Sequence, residues 1–303
     1  MKRVHLNKVL SGLLPLALVL ISSQRGTGGT MRIVHSIPFP GVAQFGCDIA
    51  WDGQYIWTAF YETVTVPNGG NGEGVPRVRS LDPVDGSPGP SFQFGQGMDN
   101  RSGIVWDGSH FWVTRTAGVH ARPGEFVPDY IHKFAPNGTE VASFEFPESL
   151  DMSATGLAFD GTYLWLSDAR EDRLLQLDPQ DMSLVKSFAT PGSIPLGLAW
   201  KGSSLFSVDG ETDNIFEIDT SGNVLEVWST PLADPFGITY DGEYFWVLDN
   251  RTSRIYQLAL PEPSAICLVS LAAWAFSSHF VTCQVAKFTG GRSRVRRLFS
   301  RRA

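Results

Sequence analysis

Three aspartates that end apolar segments are the first residues in this sequence whose type and spacing suggest a site. Asp168, Asp209 and Asp249 close the segments LWLSD, LFSVD and FWVLD. The simpler interpretation is that each carboxylate accepts main-chain N–H bonds in the short loop that follows it. The alternative is a ring of carboxylates that binds Ca²⁺ through oxygen ligands, with Asp209, Glu211 and Asp213 alternating within DGETDN. The glycine-containing calcium loop of twelve residues is absent from the sequence. Capping of the loops and binding of Ca²⁺ therefore both stay open for these carboxylates.

A second candidate site is cationic. Arg115 ends the segment FWVTR, at the place where the three segments above end in Asp. A guanidinium group can bind a carboxylate or an acidic sugar through two parallel hydrogen bonds. The alternative is that it pairs with neighbouring acids of the fold. The residues predicted to form this ligand-binding group are Asp99, Arg101, Arg115, His120 and Arg122.

Signatures of several catalytic chemistries are missing from the sequence. It contains no GxSxG, HExxH, CxxC or GxxxxGK motif, so neither a serine nucleophile elbow nor a zinc, dithiol or phosphate site is predicted. The four histidines between residues 31 and 260, His35, His110, His120 and His132, are not grouped at metal-ligand spacing. No catalytic residue can be assigned, and the sequence favours a binding module over an enzyme.

These candidate residues lie within a repeat. Five segments share an apolar strand, a turn centred on a glycine and an aromatic strand: CDIAWDGQYIWTAF, GIVWDGSHFWVTR, GLAFDGTYLWLSD, GLAWKGSSLFSVD and GITYDGEYFWVLD. An Asp-Gly pair between two strands predicts a two-residue hairpin turn, with Gly at a positive φ. The signal is weaker in the fourth segment, where Lys201 replaces Asp.

Two more strand-like pieces follow each segment, except that the fifth has no fourth strand after Leu260. Four strands per unit at this period are typical of propeller blades. We therefore predict an all-β, five-bladed propeller over residues 31–260, closed by an N-terminal strand at Arg32 to Phe39; six blades is the alternative. Residues 61–77 and 116–130 are predicted to be long loops, where a ligand site is commonly placed.

Two sets of aromatic residues recur at fixed positions of the repeat. Large rings at such positions most simply fill the space between blades, and a platform for stacking sugars is the alternative. The first set is Trp51, Trp106, Phe159, Trp200 and Tyr240, and the second is Trp57, Trp112, Trp165, Phe206 and Trp246.

The repeat resembles those of two propeller families. In the last three segments the spacing from the terminal Asp to Arg173, Asn214 and Arg254 is similar to that of bacterial NHL-like propellers. Five blades closed by a terminal strand are similar to glutamine cyclotransferase propellers. This second resemblance implies, as an alternative function, a glutamine-cyclotransferase-like or lyase-like enzyme that uses carboxylates around the channel. Propeller motifs mark the fold rather than the activity.

Both ends of the chain look like address signals. Residues 1–30 combine Lys2, Arg3 and Lys8 with an apolar run of about a dozen residues, which is typical of a secretory signal peptide; a buried helix is the alternative. Pro261, Glu262 and Pro263 precede 22 residues without Asp, Glu, Lys or Arg (265–286) and an Arg-rich end. Such a span is long enough for a transmembrane helix.

Residues 261–303 thereby resemble the PEP-CTERM sorting signal of exopolysaccharide-producing Gram-negative bacteria. The resemblance implies export, removal of the tail by an exosortase, and release to the cell surface or matrix. An uncleaved membrane anchor is the alternative. The implied partners are the exosortase and an extracellular carbohydrate, peptide or protein.

The charge of the chain is unevenly distributed. The whole sequence has a formal charge of −7, but residues 31–260 contain 13 of the 24 Lys and Arg and 30 of the 31 Asp and Glu. A strongly acidic central domain excludes binding of nucleic acid through phosphate neutralisation. We expect a monomer that binds no nucleic acid and meets the membrane only through its C-terminal helix before processing.

Overall fold

The computed structural model describes residues 28–39, 48–65, 71–93, 103–115, 129–146 and 153–262. The chain divides into two compact units, residues 1–260 and residues 261–303. All regular elements among the described residues are β-strands, and they form five antiparallel sheets of four strands. The prediction of an all-β propeller with five blades is confirmed, and the six-bladed alternative is wrong.

Each blade uses four strands from the inside of the ring to its rim. Blade 1 contains β2 (Ile49–Trp51), β3 (Ile56–Thr65), β4 (Asn71–Leu81) and β5 (Pro88–Gln93). Blade 2 contains β6 (Ile104–Trp106), β7 (Phe111–Arg115), β8 (Tyr130–Phe134) and β9 (Glu140–Glu145). Blade 3 contains β10 (Ala154–Phe159), β11 (Leu164–Asp168), β12 (Arg173–Leu177) and β13 (Leu184–Ala189).

The last two blades complete the ring with the help of the N-terminal strand. Blade 4 contains β14 (Pro195–Lys201), β15 (Ser204–Asp209), β16 (Ile215–Asp219) and β17 (Val224–Trp228). Blade 5 contains β18 (Pro235–Tyr240), β19 (Phe245–Asp249), β20 (Arg254–Ala259) and, on its outer edge, β1 (Arg32–Pro38). The predicted closure by the N-terminal strand is confirmed: β1 is antiparallel to β20, with Ile37 opposite Ile255.

The strands of one blade differ in their pattern of apolar residues because they differ in burial. The second strands β11 and β19 are buried at every residue because neighbouring blades cover both of their faces. Their sequences are therefore mostly apolar and do not alternate between apolar and polar residues. The outer strands β9 and β13 alternate between more and less exposed residues. The core therefore lies between blades.

The second set of aromatic residues belongs to this core, as predicted. Trp112, Trp165, Phe206 and Trp246 are at most 2% exposed. Rings meet across blade boundaries: the Trp57 and Phe111 centroids are 4.5 Å apart, and those of Phe206 and Phe245 are 4.4 Å apart. Such contacts stabilise a stacked ring of blades by apolar burial.

The Asp-Gly turns differ from the prediction in their geometry. Gly53, Gly108, Gly161, Gly202 and Gly242 all have positive φ, as expected. However, four of the loops have four residues; in blade 1, Trp51 pairs with Ile56. The reason is the Asp side chain: Oδ1 of Asp52 accepts N–H bonds from Gln54 and Tyr55, which holds a wider turn. Only blade 4 has the two-residue turn, because Lys201 offers no such acceptor and pairs directly with Ser204.

The segment after β3 also departs from the prediction. Instead of a long loop over residues 61–77, β3 and β4 extend as one hairpin in which Tyr61 pairs with Pro76 and Thr65 with Asn71. Pairing of the main chain along the segment TVT (residues 63–65) extends the hairpin into the sequence that was predicted to be a loop. Residues 116–128 of the second predicted loop lie outside the described residues.

The antiparallel registers give the ring two distinct faces. One face, which we call the turn face, carries the glycine turns between the first and second strands and the turns between the third and fourth strands. The other, the loop face, carries the loops between the second and third strands and the blade-to-blade segments. The innermost strands β2, β6, β10, β14 and β18 contact one another around the ring.

Candidate functional site

The three strand-ending aspartates lie on the loop face and are almost fully buried. Asp168 accepts N–H bonds from Ser153 and Arg170 through Oδ1, and its Oδ2 pairs with Nε of Arg173 at 2.9 Å. Oδ1 of Asp209 accepts from the N–H and the hydroxyl of Thr212. These contacts correspond to the loop-capping interpretation of the sequence.

Asp249 is bonded on both sides of its carboxylate. Oδ1 accepts from the N–H and hydroxyl of Thr252, and Oδ2 accepts the N–H groups of Ala233 and Asp234. Burial acts to raise the pKa of Asp249, but these hydrogen bonds outweigh it and leave the pKa lowered. The pKa of the neighbouring Asp234 is raised by burial and by the negative charges of Asp249 and Asp213. Asp249 therefore stays ionised and fixes the loop between blades 4 and 5.

The predicted cation site does not assemble from the residues that the structure describes. Oε2 of Glu211 accepts a hydrogen bond from the Ser193 hydroxyl, and the Asp209 carboxylate is engaged by its own loop. Across the described ranges, no group of three or more His, Cys, Asp or Glu side chains is placed to hold a metal ion. Asp209, Glu211 and Asp213 thus form no such group.

Only one member of the predicted cationic group can be placed. Arg115 ends β7 on the loop face, and its guanidinium carbon lies 5.7 Å from the centroid of the Tyr130 ring. The tyrosine hydroxyl in turn donates to Glu145 at 3.1 Å. Asp99, Arg101, His120 and Arg122 lie outside the described residues, so the predicted anion site stays a prediction.

The proposed sorting motif lies at the edge of the described chain. Pro261 and Glu262 follow β20 without regular structure, and residues from Pro263 onward are outside the described ranges. In the part of the chain that the structure covers, no helix has the length and hydropathy needed to cross a membrane.

Asp48 is the residue that sequence reasoning missed. It lies immediately before β2, at a position where the other four blades have glycine: Gly103, Gly156, Gly197 and Gly237. The glycines are required because inner strands approach closely there; a Cβ on Gly197 would lie 2.7 Å from the main-chain nitrogen of Ile238. A comparison of CDIAWDG with the GxxWDG pattern of the repeat would have found this exception.

The Asp48 carboxylate crosses the axis of the ring. Oδ2 accepts the N–H of Leu157 in blade 3 at 3.0 Å, and Oδ1 accepts the N–H of Ile238 in blade 5 at 3.3 Å. Blade 3 is not a neighbour of blade 1, so the first bond spans the channel. Burial raises the pKa of Asp48 well above its usual value, and N–H bonds from Leu157, Ile49, Ile238 and Ile104 oppose that shift only in part.

A cavity of about 100 Å³ lies among the inner strands on the turn-face side. Its deep end is formed by Ile49, Leu157 and Leu198, the residues that directly follow the Asp48 position in their blades. Every blade contributes the residue of the first aromatic set to its lining, and all five are half-buried. These are Trp51, Trp106, Phe159, Trp200 and Tyr240. Each ring of the first set thus packs between blades with one part and lines the cavity with another. The prediction of a core role did not include the second part.

Two carboxylates lie near Tyr240, one of the lining residues of this cavity. Burial raises the pKa of the Tyr240 phenol, and the charges of Asp241 and Glu243 raise it further. The Tyr240 hydroxyl donates to the carbonyl of Gly242 at 2.7 Å. A lysine side chain also lies in this region: Nζ of Lys201 is 5.7 Å from the centroid of the Tyr240 ring and 5.8 Å from that of the Phe206 ring. An ammonium group can therefore lie against the aromatic residues of this region.

The fold is similar to that of a known glutaminyl cyclase. The glutaminyl cyclase of Myxococcus xanthus matches with a TM-score of 0.58 and 13% identity, over 78% of this chain and 100% of that one. The virginiamycin B lyase of Staphylococcus aureus matches with a TM-score of 0.44 and 12% identity, over 77% and 100%. No protein-family model and no curated protein matches the sequence. The resemblance to glutamine cyclotransferase propellers is confirmed for the fold, and at these identities it extends no further.

Proposed function

We propose that this protein is an exported binding module whose ligand enters the axial cavity from the turn face. One observation carries the proposal: five blades place an aromatic residue at the same position around one cavity. A fold that only needed interblade packing would bury these rings as completely as the second set, whereas all five are half-buried. Concave sites lined by aromatic and apolar side chains are where proteins bind small molecules.

The lining favours binding over catalysis at this cavity. Of its twelve described residues, none is a carboxylate, histidine or cysteine, and Tyr240 is the one titratable group. Because the pKa of that phenol is raised, it is protonated at neutral pH and is no general base. The enzyme alternative is supported by the fold alone, through the similarity to glutaminyl cyclase.

The chemistry of the cavity favours a compact organic cation, such as a quaternary ammonium group. Aromatic faces attract a weakly hydrated cation, and the carboxylates of Asp241 and Glu243 add favourable charge. A sugar ring needs several hydrogen-bond partners, including strong acceptors, but the lining contains no carboxylate or amide side chain; its polar side-chain groups are the Thr239 and Tyr240 hydroxyls and three indole N–H donors. The predicted carbohydrate ligand is therefore the second choice for this cavity.

A matched pair of probes separates charge from shape. Choline and its uncharged isostere 3,3-dimethyl-1-butanol should be titrated into residues 31–260 by isothermal calorimetry. We expect choline to bind at least tenfold more tightly, since the two differ only in the charge that the aromatic rings would recognise. Equal affinity would indicate a purely apolar site, and binding of neither would overturn the proposal. Binding of an oligosaccharide alone would favour the carbohydrate prediction.

Two tryptophans provide matched variants for this titration. Trp200→Leu removes a lining ring and should weaken choline binding by tenfold or more. Trp228→Leu removes a half-buried indole from β17, outside the lining, and should leave binding unchanged. Lys201→Met should strengthen binding, because it removes a positive charge beside Tyr240. Equal losses from both tryptophan variants would place the ligand elsewhere.

Export is proposed from the two ends of the sequence. The basic and apolar N-terminus, together with the PEP motif, apolar span and Arg-rich end, supports secretion and tail removal by an exosortase, with delivery to the cell surface or matrix. Intact mass spectrometry on the protein from culture medium and from membranes tests this. A secreted species ending near Pro261 is expected. A membrane species that retains Arg302 would indicate an uncleaved anchor instead.

A further inference from the structure

The indole N–H groups of the eight described tryptophans fall into two sets. Five of them donate to a carboxylate of the protein: those of Trp57, Trp112, Trp165, Trp228 and Trp246. The other three, of Trp51, Trp106 and Trp200, donate to no acceptor within the described ranges, and these three tryptophans line the axial cavity. None of their nitrogen atoms is among the buried atoms without a partner. They are therefore open to solvent, and a ligand in the cavity can accept hydrogen bonds from them.

Lys201 adds a charged donor beside this lining. Its main chain forms the two-residue turn of blade 4 by pairing with Ser204, and that pairing does not involve the lysine side chain. Within the described residues, its ammonium group has no carboxylate partner and lies against the rings of Phe206 and Tyr240. The other four blades have Asp at this position. The turn itself therefore does not require the positive charge of Lys201.

The side chains of the cavity offer more donors than acceptors. Three indole N–H groups line it and the Lys201 ammonium group lies beside it, whereas the hydroxyls of Thr239 and Tyr240 are the acceptors. A simple cation on the aromatic rings would leave these donors unsatisfied and would be repelled by Lys201. A carboxylate, with about four lone-pair directions on two oxygens, could accept from them. One ligand that carries both charges would meet both requirements.

We propose that the ligand of the axial cavity is a compact zwitterion. Its quaternary ammonium group lies on the aromatic rings, and its carboxylate accepts hydrogen bonds from Lys201 and the indole N–H groups. This inference rests on the proposed function, since it assigns the same cationic group to the aromatic rings. Lys201 then determines specificity, because its ammonium group repels choline and attracts glycine betaine, in which a carboxylate replaces the hydroxymethyl group of choline.

Four ligands of similar shape and different charge test the zwitterion by isothermal calorimetry on the full chain. Glycine betaine should bind roughly tenfold more tightly than choline and than 3,3-dimethylbutanoate, which has the carboxylate but no positive charge. Choline that binds better than uncharged 3,3-dimethyl-1-butanol and at least as tightly as betaine would overturn the zwitterion and leave the proposed function in place. Equal binding of betaine and 3,3-dimethylbutanoate would indicate an anion site and overturn both.

Lys201→Met should change the two affinities in opposite directions. It should weaken betaine binding about tenfold and strengthen choline binding, because it removes a charge that attracts the first ligand and repels the second. Lys186→Met is the matched control: Nζ of Lys186 also lies against an indole, 5.4 Å from the centroid of the Trp165 ring, but outside the cavity lining. It should change neither affinity. A Lys201→Met protein in which both affinities change in the same direction, or neither changes, would overturn the role of Lys201.

Discussion

Nε1 of Trp165 donates a hydrogen bond to Oδ2 of Asp160 at 2.8 Å, and the pair joins a buried indole to the turn that precedes it. The same bond occurs from Trp57, Trp112 and Trp246 to the Asp five residues before each. Blade 4 lacks both partners, with Lys201 and Phe206 at the equivalent positions. Asp and Trp are therefore present or absent together, since a buried indole N–H needs an acceptor.

This relationship predicts energetic coupling between Asp160 and Trp165. Trp165→Phe removes the donor and Asp160→Asn weakens the acceptor, so each should lower the free energy of unfolding by about 1–3 kcal/mol. The double variant should lose less than the sum, with a coupling of about 1–2 kcal/mol. Urea denaturation followed by circular dichroism measures all three.

Blade 4 supplies the control for this comparison of single and double variants. Lys201→Asn lies at the position of Asp160 but has no indole partner, and its turn has no side-chain cap to lose. It should change the free energy of unfolding by less than about 0.5 kcal/mol. A loss as large as that of Asp160→Asn would show that the bond to the indole is not what the aspartate contributes.

The closing strand provides a second prediction through two isoleucines on β1. Ile37 is 1% exposed and packs in the core between blades 5 and 1, whereas Ile33 is 41% exposed. Ile37→Ala should therefore cost about 2–4 kcal/mol, the range for a buried large-to-small change. Ile33→Ala, the same chemical change four residues earlier, should cost less than about 1 kcal/mol. Equal effects in urea denaturation would mean that β1 does not seal the ring through this contact.

Most of the fold could be predicted from the sequence because the pattern of one blade is repeated five times. The spacing of Gly53, Gly108 and their equivalents determined the blade count, and the segment at Arg32 supplied the strand missing from blade 5. Details that depend on side-chain hydrogen bonds were not accessible. The bonds from Gln54 and Tyr55 to Asp52 widen a turn that the Asp-Gly pair alone predicts to be short.

The candidate site was harder to predict because it depends on contacts between distant blades. Asp168 and Asp249 stood out in the sequence by repetition, yet the structure engages them in their own loops. Asp48 breaks the repeat, and its partners Leu157 and Ile238 are 109 and 190 residues away. No motif within a single repeat can reveal contacts between residues that are so far apart in the sequence. The informative signal was the exception to the repeat rather than the repeat itself.

Asp48 and Asp249 should contribute to pH dependence with opposite signs. The folded-state pKa of Asp249 is lowered, so its stabilisation is present above the ordinary Asp pKa of about 4 and is lost as pH falls through the lowered value. The folded-state pKa of Asp48 is raised, so stability declines as pH rises from about 4 through the raised value.

The two Asn variants measure these contributions separately. The stability difference between wild type and Asp249→Asn should grow from pH 3 to pH 5, while that between wild type and Asp48→Asn should shrink as pH rises from 4. Each tenfold difference in proton affinity between folded and unfolded states amounts to about 1.4 kcal/mol. Urea denaturation across this range gives both curves. Parallel slopes would contradict the assignment of opposite shifts.

Ile194 offers a site where a single substitution should stabilise the protein. It lies between blades 3 and 4 with φ of 56°, a left-handed conformation that β-branched residues rarely adopt. Its side chain is 43% exposed, so little burial is lost on replacement. The contacts that fix the loop are main-chain ones: the N–H donates to Oδ1 of Asp172, and the carbonyl accepts from Gly210. Any residue that tolerates this φ retains them.

Ile194→Asn should therefore raise the free energy of unfolding by about 1 kcal/mol, because Asn adopts the left-handed region at lower cost. This corresponds to a melting temperature higher by roughly 2–4 °C for a domain of this size. Val84→Asn is the matched control: Val84 is also β-branched and exposed, but its φ is not positive. It should show no gain in differential scanning calorimetry. Equal gains from both variants would attribute the effect to surface polarity rather than to relief of backbone strain at Ile194.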